Sequence, residues 1–299
     1  MTDESASRER LAKHRARWII LLAALMWSTS ALFVNSAVFE SWPTSGWVPQ
    51  RSVLLIFWRA IFATLVVLPF VRRPRWTWKL IPAALLFVVM NITFITAMVQ
   101  TTAANAIWLQ NTAPLWVFIV GTTILNDPVH RRDWPQLGFI LAGVPFILSY
   151  ELRGEDPTGV LWGLAGGATY AAVVLSLRWL RDVDSAWIIA LNHGVTALVL
   201  LPLVYHFGIA PSATQLVVLI GFGALQMGLP YFLFTRSIRS LPAHEAAGIV
   251  LLEPILVPTW VWLLGMEEPK WWTIVGGALI FAGLAVRYLP DLLRAKVQE

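Results

Sequence analysis

The hydrophobic pattern of this chain is written twice. Thr101-Thr-Ala-Ala-Asn-Ala-Ile-Trp-Leu-Gln-Asn-Thr-Ala-Pro114 finds its echo in Leu241-Pro-Ala-His-Glu-Ala-Ala-Gly-Ile-Val-Leu-Leu-Glu-Pro254, 140 residues later. Ala142-Gly143 meets Ala282-Gly283 at the same offset, and Phe94 meets Phe234. A further echo joins Leu-Val-Val-Leu-Pro69 to Leu-Val-Leu-Leu-Pro202 at an offset of 133. Trp27 in the first apolar run pairs with Tyr170 in the sixth, at an offset of 143. A repeat of this period constrains the fold before any local propensity is weighed.

Both halves are too apolar for a soluble domain. The chain has 299 residues, 58% hydrophobic and 13% charged, against about 25% charged in soluble domains. Mean hydropathy is +0.67. Apolar runs near 20 residues recur along the chain, each able to cross a hydrocarbon core of about 30 Å. They predict ten spans: 17–40, 52–71, 78–99, 102–125, 135–150, 158–180, 184–206, 213–235, 241–265 and 271–290. The fold class is therefore all-α integral membrane. The apolar run behind the charged N-terminal arm is too long for a cleavable signal peptide. With no cysteine, disulfides, thiolate metal sites and thiol redox chemistry are excluded. No metal site or cofactor is expected, and the net charge of +5 does not imply nucleic acid.

Charge orients the spans. With the N-terminus inside, 18 of the 22 Lys and Arg fall on inside segments. Arg51, Arg153 and Lys270 fall outside, with Glu151, Glu155, Asp156, Glu267 and Glu268, and Arg59 lies within a span. The positive-inside rule then puts both termini in the cytoplasm of a cell bearing this protein in its plasma membrane. Five spans per half is an odd number, so the halves run in opposite directions, as in transporters with inverted repeats. The expected organisation is a cytoplasmic arm 1–16, a first repeat 17–150, an inverted second repeat 151–290 and a tail 291–299. Gly163 with Gly167, Gly138 with Ala142, and Ala278 with Ala282 have the small-residue spacing of close helix contacts.

The chain resembles the drug/metabolite transporter superfamily, in its EamA-type branch. The likeness rests on Leu252-Glu253-Pro254, preceded by Leu241-Pro-Ala and followed by Gly265-Met-Glu267. The first-half counterparts are Asn111-Thr-Ala-Pro114 and Leu125-Asn-Asp127. The resemblance implies ten helices in two inverted halves and export of amino acids, drugs or other small metabolites, without specifying which.

Ionisable groups inside a bilayer cost about 2.5–3.5 kcal/mol each at mid-span, so each demands a reason. Glu253 is a proton carrier, a partner for a substrate amine, or a carboxyl that satisfies backbone donors freed by Pro254. Arg59 is a clamp for a substrate carboxylate, or an arginine paired internally or reaching the interface. His193 is a packing histidine or a titrating switch. His244 and Glu245 sit near the cytoplasmic start of their span. Pro114, Pro254 and Pro258 are hinge candidates or fixed kinks. Many of the 17 Trp lie near interfaces. Trp27 and Trp108 lie deeper, and with Asn91, Phe94, Asn111, Tyr170, Tyr231 and Phe234 they make an aromatic, weakly polar cavity lining or a packing layer. Such a lining suits a small amphipathic solute, aromatic amino acids above all, exported by alternating access; efflux of hydrophobic cations is the alternative. An intramembrane enzyme finds no supporting motif, and oligomeric state is not encoded in these patterns.

Overall fold

The computed structural model describes residues 3–126, 131, 133–153, 157–237, 241, 246 and 249–297. Asp127, Pro128, Arg132, Gly154, Glu155, Asp156, Arg239, Pro242, Ala243, His244, Glu245 and Gly248 lie outside the described residues. Among the described residues every regular element is helical, the outcome lipid imposes when each backbone group must find a partner within its own segment.

Among the described residues, six helical stretches are long and apolar enough to cross a membrane: Lys13–Val34, Gln50–Phe70, Leu80–Gln100, Thr158–Arg178, Ser185–Phe207 and Ala213–Ser237. The first comprises α1 (Asp3–Trp27) and α2 (Ser30–Val34). Then come α3 (Gln50–Val67) and α4 (Leu80–Gln100). The expected span 102–125 is two pieces, α5 (Ala103–Gln110) and α6 (Ala113–Thr123), followed by α7 (Asp133–Glu151). Next are α8 (Thr158–Arg178) and α9 (Ser185–Phe207). The sixth stretch joins α10 (Ala213–Gly221), a π-helical segment (Phe222–Gly228) and α11 (Leu229–Ser237). The chain ends with α12 (Glu253–Leu263) and α13 (Trp271–Val297).

Helix packing keeps the two-fold pattern of the sequence. Helix α4 packs on α8 as α1 packs on α11, and α4 on α9 as α3 packs on the π segment. Helix α5 meets α8 as α12 meets α1 and α2, while α3–α9, α7–α13 and α5–α12 are each their own mates. The α7–α13 seam shows the correspondence in atomic detail. A side chain at Gly143 would stand 2.6 Å from the Gly276 carbonyl, and one at Gly283 would stand 2.9 Å from the Gln136 carbonyl. These two contacts are the same contact displaced by 140. The expected seam at Gly138 needs correction: nothing lies within 4 Å of the Cβ it lacks. Helical spacing allowed Gly138 or its neighbours to face the partner, and the helix presents Gly143 instead. Gly163 and Gly167 do form a seam, against Leu109 and Thr112.

Segments expected on one side meet at one end of the bundle. The Gln215 amide donates to the Val38 carbonyl at 2.9 Å, the Gln100 amide to the Gly46 carbonyl at 2.8 Å and Trp272 Nε1 to Glu151 at 2.7 Å. At the other end the Arg72 and Arg73 backbone N–H groups donate to Asp184 at 3.3 Å, and Arg287 pairs with Asp133 at 3.4 Å.

Candidate functional site

The site is built on interruptions. Helix α1 stops at Trp27 and resumes at Ser30 as α2. Two side chains stitch this gap: Gln226 Nε2 donates to the Trp27 carbonyl at 3.1 Å, and Trp260 Nε1 donates to Ser28 Oγ at 2.9 Å. Gln226 belongs to the π segment, a helix form that occurs mostly as short bulges at functional positions. The segment presses on α3 so closely that a side chain at Gly223 would stand 2.6 Å from the Arg59 carbonyl.

The fourth expected span breaks at Asn111-Thr112, and helix α12 likewise starts behind Leu251-Leu252, at positions 140 apart. Pro114 and Pro254 therefore occupy the first turns of new helices rather than mid-helix kinks, where proline's missing N–H has no helical partner to lose. Pro258 lies inside α12. The first break is closed by side chains: Thr112 Oγ1 donates to the Leu109 carbonyl at 2.6 Å and Asn111 Nδ2 to the Ile107 carbonyl at 2.8 Å. The second carries Glu253 in the first turn of α12, where the helix dipole favours a negative charge.

Three sequence candidates converge on the α1 gap. The Trp27 ring lies 5.0 Å from Tyr231 and 5.3 Å from Phe234, and its buried Nε1 has no hydrogen-bond partner among the described residues. Tyr231 stands within electrostatic range of both Glu253 and Arg59. Arg59 is 2% exposed, hydrogen-bonds the Asn91 side-chain oxygen and lies with Cζ 5.0 Å from the Phe222 ring centroid. Asn91 in turn donates to the Phe87 carbonyl at 2.8 Å, so it anchors the guanidinium. No carboxylate ion pair to Arg59 occurs among the described residues. His193 packs edge-on to Phe87 at 4.9 Å, and neither ring nitrogen has a hydrogen-bond partner among the described residues.

The other candidates lie apart from this cluster. Phe94 is half-buried on α4, one residue from Thr93, whose hydroxyl meets Thr169 on α8 at 2.9 Å. Tyr170 lies on an exposed stripe of α8 with Val174 and Leu177. Trp108 packs against Gly277 and lines an apolar cavity of 310 Å³ between α5, α12 and α13 with Pro258, Trp262, Thr273 and Phe281. Sequence reasoning missed Phe222, Gln226 and Trp260. Only the paired glycines 223 and 228 hinted at the close approach of the π segment. No cluster of three metal-ligating side chains occurs among the described residues.

Comparison with known proteins agrees with this architecture. The model of the EamA-like transporter family matches twice, over residues 15–149 and 157–289. The chain belongs to the EamA-like transporter family. It is a multi-pass membrane transporter of a small-molecule substrate. An uncharacterized transporter of Archaeoglobus fulgidus is 26% identical over 274 residues, covering 90% of this chain and 94% of that protein. The uncharacterized transporter YwfM of Bacillus subtilis is 26% identical over 279 residues, covering 89% and 91%. A solved crystal structure superposes with a TM-score of 0.65 at 18% identity, over 93% of this chain and 98% of its own; that likeness concerns the fold alone. Within the EamA-like frame, the first matched segment contains the breaks at Ser28-Thr29 and Asn111-Thr112, and the second contains the break ahead of α12.

Proposed function

We propose that this EamA-like transporter is a secondary exporter of small amphipathic metabolites, aromatic amino acids foremost, working by alternating access. In this reading it has ten spans in two inverted repeats, 17–150 and 151–290, with both termini cytoplasmic in the plasma membrane. The observation that carries the substrate class is the placement of Tyr231, beside the Trp27 and Phe234 rings and within electrostatic range of Glu253 and Arg59. A zwitterion with an apolar side chain offers an ammonium for Glu253, a carboxylate for Arg59 and a face for the rings. A buried arginine disfavours hydrophobic cations, so cation efflux is the weaker reading. Helix packing that survives exchange of the halves supports the inverted repeat, because such halves can swap conformations to open the site to either side. Pro114, Pro254 and Pro258 then flank the moving pieces. Asn91 serves by holding Arg59, while Phe94, Trp108, Asn111 and Tyr170 lie apart from the cluster and have no assigned part in this reading.

The test is flux in proteoliposomes with amino acids, their amine-only and carboxylate-only analogues, and cationic dyes. Arg59→Met is expected to lose preference for the carboxylate and Glu253→Gln for the amine. Equal transport of all analogues by the wild-type chain sinks the zwitterion reading. An imposed pH gradient separates proton antiport through Glu253 from uncoupled export.

A further inference from the structure

Glu267 joins three elements that are distant in sequence. Its carboxylate accepts from Asn35 Nδ2 at 2.5 Å, just past the end of α2, and from the Ala103 backbone N–H at 2.8 Å, in the first turn of α5. The helix supplying it ends in a tight motif. Gly265, at φ +65°, adopts the left-handed conformation, and Met266 N–H reaches back to the Val261 carbonyl at 2.8 Å. That turn reverses the chain and aims Glu267 at α5. Arg51, at the start of α3, fastens the same point, donating to the carbonyls on both sides of Asn35, Val34 at 2.6 Å and Ser36 at 3.3 Å.

Five-residue α2 is thus held at both ends by side chains. At its lower end is the Ser28-Thr29 gap, stitched by Gln226 and Trp260. At its upper end is the Asn35–Glu267–Ala103 junction. Packing alone would not require a partly buried carboxylate with both oxygens engaged by different elements.

We propose that α2 is a gate at this end of the molecule, hinged at Ser28-Thr29 and latched by Glu267. Closed, it covers the Trp27–Tyr231–Phe234 cluster; released, it opens that cluster to the adjacent compartment. That this compartment is the exterior rests on the orientation proposed above.

The naturally cysteine-free chain makes the test direct. Ser30, 1% exposed at the start of α2, becomes the reporter as Ser30→Cys. Right-side-out and inside-out vesicles are treated with a membrane-impermeant methanethiosulfonate. Labelling is expected to be slow with the latch intact. Adding Glu267→Ala should raise the rate from the exterior by about tenfold, the scale of a lost charge-assisted hydrogen bond. Glu267→Gln, which can bond both partners, should leave it low. If Glu267→Ala does not fold, Asn35→Ala, cutting the same junction from the other side, is expected to accelerate labelling likewise. Acceleration only from the cytoplasmic face keeps the latch and overturns the orientation. Unchanged rates from both faces in a folded Glu267→Ala or Asn35→Ala chain overturn the gate.

Discussion

The break between α5 and α6 and the break ahead of α12 occupy equivalent places in the two halves, yet they are held differently. The first is locked. Asn111 and Thr112 return hydrogen bonds to carbonyls that the interruption frees, and Gly167 of α8 fits so closely that a side chain there would stand 2.7 Å from the Leu109 carbonyl. The second has Leu251 and Leu252 at those positions, which can return none, and Leu252 is 37% exposed. Where the first half has Ala113, the second has Glu253. One interruption is closed by its own side chains. The other places a carboxyl within electrostatic range of Tyr231 and lacks that lock. The two breaks share a place in the repeat and differ at three adjacent positions.

Erasing the charge is the severest way to break this comparison. Glu253→Ala makes the second break chemically like the first. Flux is expected to fall below about a tenth of wild type, while thermal stability holds or rises because a costly intramembrane carboxyl is gone. Full flux from a well-folded Glu253→Ala chain would show that the asymmetry is decorative.

The lock itself can be strained. Gly167→Ala should destabilise the protein by about 1–3 kcal/mol through overpacking on backbone that cannot yield, read as a lower melting temperature in detergent. Gly138→Ala, with open space around it, is the control and should be neutral or slightly stabilising, since alanine favours helix by up to about 1 kcal/mol over glycine. Equal losses at both sites would place the rigidity elsewhere than the α5–α8 contact.

Exchanging the locks has a smaller effect. Thr112→Leu should cost about 1 kcal/mol, the worth of one hydrogen bond. Leu252→Thr should recover a similar amount and, if this break moves as proposed, slow transport severalfold by stiffening it. A Leu252→Thr chain that transports at the wild-type rate would separate local stiffness from turnover.

How much of this was legible in the sequence depends on what repeats. The helical class follows from periodicity and the two-fold pattern from the offset, whereas Trp27, Tyr231 and Phe234 were legible only as three of eight candidates, and their meeting is set by packing of α1 on α11. Pro114 and Pro254 were visible as interruptions, but not as first-turn residues of new helices. That distinction depends on whether the preceding two residues stay helical, which packing against Gly167 decides in the first half. The π segment was hidden because Phe222–Gly228 has the same apolar periodicity as an ordinary helix. Its wider i→i+5 turns occur where α3 backbone comes close to Gly223. Glu267 was visible as part of a motif and as an acidic residue outside the spans. Its two partners lie 232 and 164 residues away, beyond any local pattern.

Glu267 also links the two breaks, since it joins the C-terminal end of α12 to the N-terminus of α5. Burial pushes its carboxyl above the usual carboxylate range, against the pull of the Ala103 and Asn35 hydrogen bonds. Once released into water the group regains its ordinary value. The latched state therefore holds its proton to higher pH than the open state, and acid favours latching. As external pH rises through the raised value, this advantage is lost and the gate loosens. The readout is the labelling rate of Ser30→Cys divided by that of Ser30→Cys/Glu267→Ala, which cancels the thiol's own titration. This ratio should climb with external pH, and with Glu267→Gln it should stay flat. Glu40 and Arg51 face this end from the first two spans, and Glu268 and Lys270 share the loop. A slope that persists in Glu267→Gln would assign the effect to one of those four. Loss of the slope with Glu267→Gln alone would mean that the latch on α2 answers to the proton on Glu267.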